Sequence, residues 1–337
     1  MPNETSMVPS CWYAIAPSHA IRADRPTSLE RLGARWVAWR DPRGELALLR
    51  AACPHRGADL ALGRVRAGEI ECRYHGFRFT ATGSCTATPC EGPNATIPIR
   101  MRASRPIIRE AHGLIWMWHG DEPAELPGLP WIAGAPSSSR RHAELEQRWP
   151  VGFIRVMEGM QDIHHLPFAH RRIDPIRRVR LDPSETAITR DDEGVDRVLT
   201  VATLRHEHEP AERGYPFRIE LGFPGVLRLG LGPRLDATIV VCPIDEARTW
   251  IWACERAHTG MGALIDRLVA SLSLGFEFAF VQPADRRLLA GSNPQACGVD
   301  DHVLVRADQP IAAWHKLRRR RIRARSAIVP ACGDASG

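Results

Sequence analysis

The sequence predicts an α+β chain of two domains: an all-β module, then a larger module with helices set around an antiparallel sheet. Three observations predict it. A length of 337 residues exceeds the roughly 150 residues of one ordinary domain. From residue 35 to about 120 the chain runs in short β-like segments whose turns carry Gly57, Gly63, Gly68, Gly76 and Gly83. Beyond residue 195, strand-like runs give way to a long helical pattern, the order expected when helices are segregated beside a sheet. Hydrophobic residues at 44% and charged residues at 25% are ordinary globular usage, which excludes wholesale disorder, collagen and coiled coil.

In chain order, residues 35–50 read as two strands around an Asp41-Pro-Arg-Gly44 turn. The first module, residues 10–122, closes with the apolar run GLIWMW, Gly113–Trp118. Residues 123–140, with Pro123, Pro127, Pro130 and Pro136, read as the connection between modules. The second module is placed at 141–320. A helix begins near Val151 and runs toward His165, where Pro167 must end it. Five strands follow between 195 and 257, in RVLTVATL, PFRIELGF, GVLRLGLG, ATIVVCPI and RTWIWACER. A helix over Ala263–Phe280 then continues past Pro283 as Ala284–Ala290.

The first 25 residues lack the basic and apolar regions of a signal peptide. No apolar run reaches the roughly 18 residues of a membrane span; around Ala263–Val281, Asp266, Arg267 and Glu277 interrupt it. Nine cysteines are too sparse for a disulfide scaffold. The expectation is a soluble cytoplasmic protein with no membrane partner, in which clustered Cys and His are metal ligands. The net charge is +6 and Lys316 is the only lysine. Seven of the ten residues Lys316–Arg325 are basic. A disordered, solvated tail over 321–337 is the first reading and docking of an acidic protein the second. Nucleic acid comes last, since no RNP motif, zinc-finger spacing or interleaved aromatic pattern accompanies the charge.

Two constellations carry chemistry. Cys53-Pro-His55 is followed after sixteen residues by Cys72-Arg-Tyr-His75, and each half has a glycine just past the histidine, Gly57 and Gly76. Two Cys and two His fit either zinc or a Rieske [2Fe–2S] cluster. Each loop mixes the ligand types, which suits two irons, one taking both thiolates and the other both imidazoles. Further on, Asp162 and His165 are three apart and share a helix face. His170 lies five beyond His165, and the break at Pro167 lets both imidazoles reach one ion. Two His and a later carboxylate would form a facial triad that leaves positions on Fe(II) open for oxygen. Downstream carboxylate candidates are Asp266, Glu277, Asp285, Asp300 and Asp301.

The stretches CPHRGADLALG, IECRYHGFRF and GSC resemble the N-terminal domain of the Rieske non-heme iron oxygenases, and RVMEGMQDIHHLPFAH is similar to the mononuclear iron motif of that family. Ala58 and Arg73 stand where respiratory Rieske proteins carry an extra disulfide pair, so the resemblance favours the oxygenase branch. It covers about residues 10–320. It implies a Rieske β-domain followed by a helix-grip catalytic domain, with Cys53, His55, Cys72 and His75 on the cluster and His165 and His170 on the iron. Asp162 falls on the bridging aspartate, and Asp285, before Leu288 and Leu289, best fits the third ligand. His164 breaks the spacing and is read as packing. Gly159 departs from the family, which often has Asn there, so a hydrogen bond beside the iron is expected to be missing.

The resemblance further implies a homotrimer in which Asp162 links a neighbour's His55 or His75 to His165. No nucleotide fingerprint occurs in the chain, so electrons are expected from a ferredoxin and/or an NAD(P)H-dependent flavin reductase. The expected activity is that of a terminal oxygenase component using O2 to hydroxylate or demethylate a small apolar, aromatic or polycyclic substrate. Its short length is similar to that of the α-only members, such as vanillate and dicamba demethylases. A Rieske-type electron carrier or binding protein with an inactive iron site is the alternative. Phe153, Met157, Met160, Phe276 and Phe280 read as core that also suggests an apolar substrate. Cys11, Cys85, Cys90, Cys242, Cys254, Cys297 and Cys332 are left as free thiols.

Overall fold

The chain divides into two units, Ala14–Trp118 and the remainder, Met1–Tyr13 with His119–Gly337. The computed structural model describes residues 7–328 apart from 93, 139–141, 174–177, 211–212, 231–233 and 296–297. Among these residues no helix is long and apolar enough to cross a membrane.

Ten strands build the N-terminal part: β1 (Cys11–Pro17), β2 (Thr27–Arg31), β3 (Ala34–Arg40), β4 (Leu46–Arg50), β5 (Arg64–Arg66), β6 (Glu69–Glu71), β7 (Arg78–Phe79), β8 (Cys85–Ala87), β9 (Ile108–Ala111) and β10 (Leu114–His119). They form three sheets, in the orders β1-β10-β9, β2-β3-β4 and β5-β6-β7-β8. The predicted turn joins β3 to β4: Asp41 Oδ1 accepts the backbone N–H of Arg43 (2.8 Å) and of Glu45 (2.9 Å), so the aspartate satisfies the turn backbone itself. Val37, Trp39, Leu49, Leu60, Ile70, Phe77 and Phe79 form one apolar core, and Cys53 and Cys72 belong to it. The thiols are thus fixed by the packing of the sheets β2-β3-β4 and β5-β6-β7-β8.

The second unit is an eight-stranded antiparallel sheet. Its strands are β11 (Ala143–Trp149), β12 (Val179–Leu181), β13 (Glu185–Arg190), β14 (Asp196–His206), β15 (Tyr215–Gly222), β16 (Val226–Gly230), β17 (Leu235–Pro243) and β18 (Thr249–Ala257). Their order is β11-β18-β17-β16-β15-β14-β12, with β13 also on β14. β14 alternates buried and half-buried positions along its length, the period-two signature of a strand with one covered face. The helices are α1 (Phe153–Gln161), α2 (Leu166–Ala169), α3 (Ala263–Phe276), α4 (Gln282–Ala290) and α5 (Gln309–Ile328), with a π turn, Glu277–Val281, fusing α3 to α4. Small residues let α3 approach the sheet: Ala270 and Leu274 pack on Ala143, Ala253 and Ala257.

Three expectations change. The helix from Val151 stops at Gln161, before Pro167. Asp162 leaves the helix (φ −75°, ψ 117°) because its carboxylate accepts the N–H groups of His164 and His165. Pro167 instead opens α2, where a missing N–H costs nothing. The basic stretch is no disordered tail as far as Ile328, since α5 contains it. Leu317 and Arg318 are buried, and Arg320 and Arg321 bind the buried carboxylate of Asp196. Residues 329–337 lie outside the described residues. Finally, the Pro-rich connection is packed on the second unit: Ile132 and Ala135 are buried, and Thr238 Oγ1 donates to Pro136 O at 2.7 Å. Its residues 139 and 140 lie outside the described residues.

Candidate metal centres

In the first unit the two Cys-His loops close in the same way. Cys53 N donates to Ala58 O and Gly57 N to Cys53 O, both at 2.8 Å; Cys72 N donates to Phe77 O (2.8 Å) and Gly76 N to Cys72 O (2.9 Å). Gly57 and Gly76 close them at φ +71° and +74°, a region that a side chain would strain. The loops bring the His55 and His75 rings to 4.7 Å between centroids, with His55 stacked on Phe77. Burial, with Cys72 alongside, pushes the Cys53 thiol up to about 11. A thiol so placed ionises readily only when a cation compensates it, and two thiols with two adjacent imidazoles are a donor set that fits a Rieske cluster. Cys53 and Cys72 are free cysteines, as are Cys11, Cys85, Cys90, Cys242 and Cys254. Cys297 and Cys332 lie outside the described residues.

In the second unit His165, His170 and Asp285 present donor atoms that all lie within 4.8 Å of one another. Asp285 Oδ1 stands 3.1 Å from His170 Nε2 and 3.4 Å from His165 Nε2. All three atoms are buried and without a hydrogen-bond partner. Buried polar atoms are rarely left so, and three of them facing one point fit an ion held by two imidazoles and a carboxylate. His165 is the N-cap of α2, His170 ends that helix, and Asp285 lies in the first turn of α4.

The electrostatics agree. Burial disfavours a charge on His165, but the nearby carboxylates of Asp162 and Asp285 outweigh it and raise its pKa to about 10. Burial likewise opposes the charge on Asp285, and His165 and His170 overcome it, so the carboxyl sits below its ordinary range. Two carboxylates therefore flank one imidazole and favour a cation there. Asp162 approaches the other ring nitrogen of His165, Oδ2 to Nδ1 3.6 Å, and would fix which nitrogen faces Asp285.

The remaining candidates are occupied elsewhere. Asp266 accepts from Thr259 N and Oγ1. Asp300 pairs with Arg319, and Asp301 caps the turn at Gly298. Burial and the charge of Asp285 raise the pKa of Glu277, and it is outside the converging group, as is His164.

A cavity of about 140 Å³ opens on the group, lined by Trp149, Gly159, Met160, Asp162, His165, Asp285, Leu288 and Leu289. Gly159 has a steric reason to be glycine: a Cβ there would lie 2.7 Å from Leu289 Cδ1. Of the apolar residues picked out by sequence, Met160 lines the cavity, Phe153 and Met157 are core, and Phe276 and Phe280 are exposed. Sequence reasoning missed Trp149, whose Nε1–H donates to Gln147 Oε1 at 2.7 Å. Gln147 in turn bonds Gln282, one turn before Asp285.

Residues 11–99 match the Rieske [2Fe-2S] domain family. Chlorophyllide a oxygenase of Chlamydomonas reinhardtii is 36% identical over 160 residues, which are 47% of this chain and 24% of that protein. Aminopyrrolnitrin oxygenase of Pseudomonas fluorescens is 30% identical over 176 residues, 50% of this chain and 47% of that one. The chain thus spans less than half the length of these curated relatives. Dicamba monooxygenase bound to dicamba superposes with a TM-score of 0.72 at 17% identity, covering 95% of this chain and 99% of that chain. Residues 11–99 thus form a Rieske [2Fe-2S] domain, and the whole chain shares the fold of this monooxygenase. NdmA of Pseudomonas putida CBB5 with caffeine shares the fold too, with a TM-score of 0.71 at 21% identity over 94% of this chain and 92% of that chain.

Proposed function

We propose that this chain is the terminal component of a multicomponent oxygenase, using O2 and electrons from a ferredoxin and/or an NAD(P)H-dependent flavin reductase. The substrate is a small apolar molecule, aromatic or polycyclic, that is hydroxylated or demethylated. The observation that carries the reading is the convergence of three partnerless donor atoms, from His165, His170 and Asp285, in the wall of an apolar cavity. An Fe(II) held there supplies oxygen activation, and a cluster held by Cys53, His55, Cys72 and His75 supplies electrons one at a time.

The chain's own residues do the rest. His165 and His170 would offer Nε2 to such an ion, and Asp285 its carboxylate. Asp162, whose Oδ2 lies 3.6 Å from Nδ1 of His165, keeps that ring oriented. Trp149, Met160, Leu288 and Leu289 exclude water and hold the apolar body of the substrate. The bound dicamba and caffeine of the solved relatives are small ring compounds and support this choice of substrate. In a homotrimer Asp162 would also link His165 to a neighbour's His55 or His75.

Iron counting tests the proposal. About three irons per chain are expected, two in the cluster and one at the triad, with a Rieske EPR signal. His170→Ala should lose the single iron and keep that signal. A wild-type chain with two irons would be an electron carrier with an inactive site instead.

A further inference from the structure

Helix α1 carries a charged pair among core residues. Arg155 and Glu158 are three apart, so they share a face, and they are only 7% and 8% exposed. Charged side chains reach such depth only when paired. Arg155 Nη1 donates to Glu158 Oε2 at 2.7 Å. Glu158 Oε1 meets Nε2 of His315, itself 1% exposed, at 2.8 Å. The rest of the guanidinium serves other partners. Nε and Nη2 both donate to Pro294 O, at 2.9 and 2.6 Å. Nη2 also lies 2.7 Å from His302 Nε2, which must accept, since arginine only donates. Burial opposes the charge on Glu158, and His315 and Arg155 overcome it, so the carboxyl sits below its ordinary range.

These bonds join three helices. Arg155 stands in the first turn of α1, whose other end leads into Asp162 and His165. Pro294 follows the end of α4, whose first turn carries Asp285. Gln295 adds a second tie. Its Oε1 accepts from Gly152 N at the start of α1 (3.2 Å), and its Nε2 donates to Leu289 O at the end of α4 (2.9 Å). His315 lies in α5, which Arg320 and Arg321 fasten to Asp196.

We propose that Arg155, Glu158 and His315 are positioning residues for the iron site, holding α1 and α4 in the one relation that brings His165 and Asp285 together. The inference rests on the reading of His165, His170 and Asp285 as that site. None of the three is among the residues lining the cavity, so they act through the helices. Stability is a poor reason for such a cluster, because apolar side chains of like volume are often as good or better in its place. What it supplies is a single geometry. A planar fork bonded in three directions, to Glu158, Pro294 and His302, fits one arrangement of its partners. A working site must be held to within about 0.5 Å.

The test uses the full chain with its cluster in place and the single iron exchanged for Co(II), read by d–d absorption, beside thermal melting without the Co(II). Arg155→Met/Glu158→Leu replaces the pair by apolar side chains of similar size. It should melt close to wild type yet bind Co(II) about tenfold more weakly, with a shifted d–d band. Glu158→Gln keeps a hydrogen-bonding group for both Arg155 and His315 and should stay near wild type in both measurements. Arg155→Lys serves if the double variant does not fold, since one ammonium cannot span Glu158, Pro294 and His302; it should weaken Co(II) binding in the same way. A folded double or lysine variant with wild-type affinity and spectrum overturns the inference and leaves the iron-site reading standing. Co(II) binding that is unchanged in His170→Ala overturns both.

Discussion

Asp162 stands 3.6 Å from Nδ1 of His165, on the side of the ring away from Asp285. The same carboxylate accepts the backbone N–H of His164 (2.8 Å) and His165 (3.2 Å) through Oδ1. One side chain therefore ends α1, shapes the turn and orients an imidazole. Asp162→Ala should cost about tenfold to a hundredfold in iron affinity, the usual range for a residue that orients a ligand. Asp162→Asn, which keeps an acceptor for the turn, should lose less. Titration of the iron-free triad with Co(II), read by its d–d absorption, checks this. Equal affinity in all three proteins would sink the orienting role.

Gly159 was expected to mark a missing hydrogen bond, and the structure gives it a packing role. Gly159→Ala gains roughly 1 kcal/mol of helix propensity. It also drives a Cβ to 2.7 Å from Leu289 Cδ1, and overpacking of that kind costs about 1–3 kcal/mol. The net effect should be a small loss of stability, with Leu289 displaced and the cavity reshaped. Thermal unfolding together with a product profile over ring substrates measures both; an unchanged profile would mean that Leu289 does not shape the substrate site.

Local signals made much of this legible in the sequence. The two Cys-His loops are short, and their glycines mark the turns. The five strands of 195–257 announce themselves because apolar residues recur along each. β11 escaped notice because it alternates charge: Glu144 and Glu146 are used as acceptors by the indoles of Trp252 and Trp250, a cross-strand reason invisible in its own seven residues. The end of α1 is hidden from local sequence for the same kind of reason, since the decisive bonds run to the Asp162 side chain from backbone ahead of it. Asp285 could be ranked among five acids but not isolated. What isolates it is that Asp266, Asp300 and Asp301 are bonded elsewhere, a fact of tertiary structure.

The C-terminal arginines belong to the fold. The Asp196 side chain is 1% exposed and is met by Arg190, Arg320 and Arg321. Removing the carboxylate takes the shared acceptor from three guanidinium groups, two of them about half exposed, and losing charged hydrogen bonds of this kind costs on the order of 1.5–3 kcal/mol. Asp196→Ala should lower the melting temperature markedly and expose α5 to limited proteolysis. Deleting residues 316–337 should do more, because it also removes buried Leu317 and Arg318. Wild-type melting in Asp196→Ala would show that the arginines are held by something else.

Stability should fall as pH rises from about 4.5 to 7, and Glu255 is the cause. Its side chain lies in β18 beneath α3. Burial raises its pKa to about 7; a hydrogen bond from Ser273 opposes the rise and the nearby charge of Glu277 adds to it. Between the ordinary carboxyl value of 4.5 and about 7, the folded chain holds a proton that the unfolded chain has released. By linkage this group's contribution is fully present at acid pH, declines across that window and is gone above it. A rise of this size corresponds to roughly 3 kcal/mol at most. Glu255→Gln removes the titration, so the variant should gain on wild type as pH goes from 5 to 8, read by urea unfolding at each pH. A constant difference between the two proteins across that range would mean that Glu255 is ionised in the folded chain throughout.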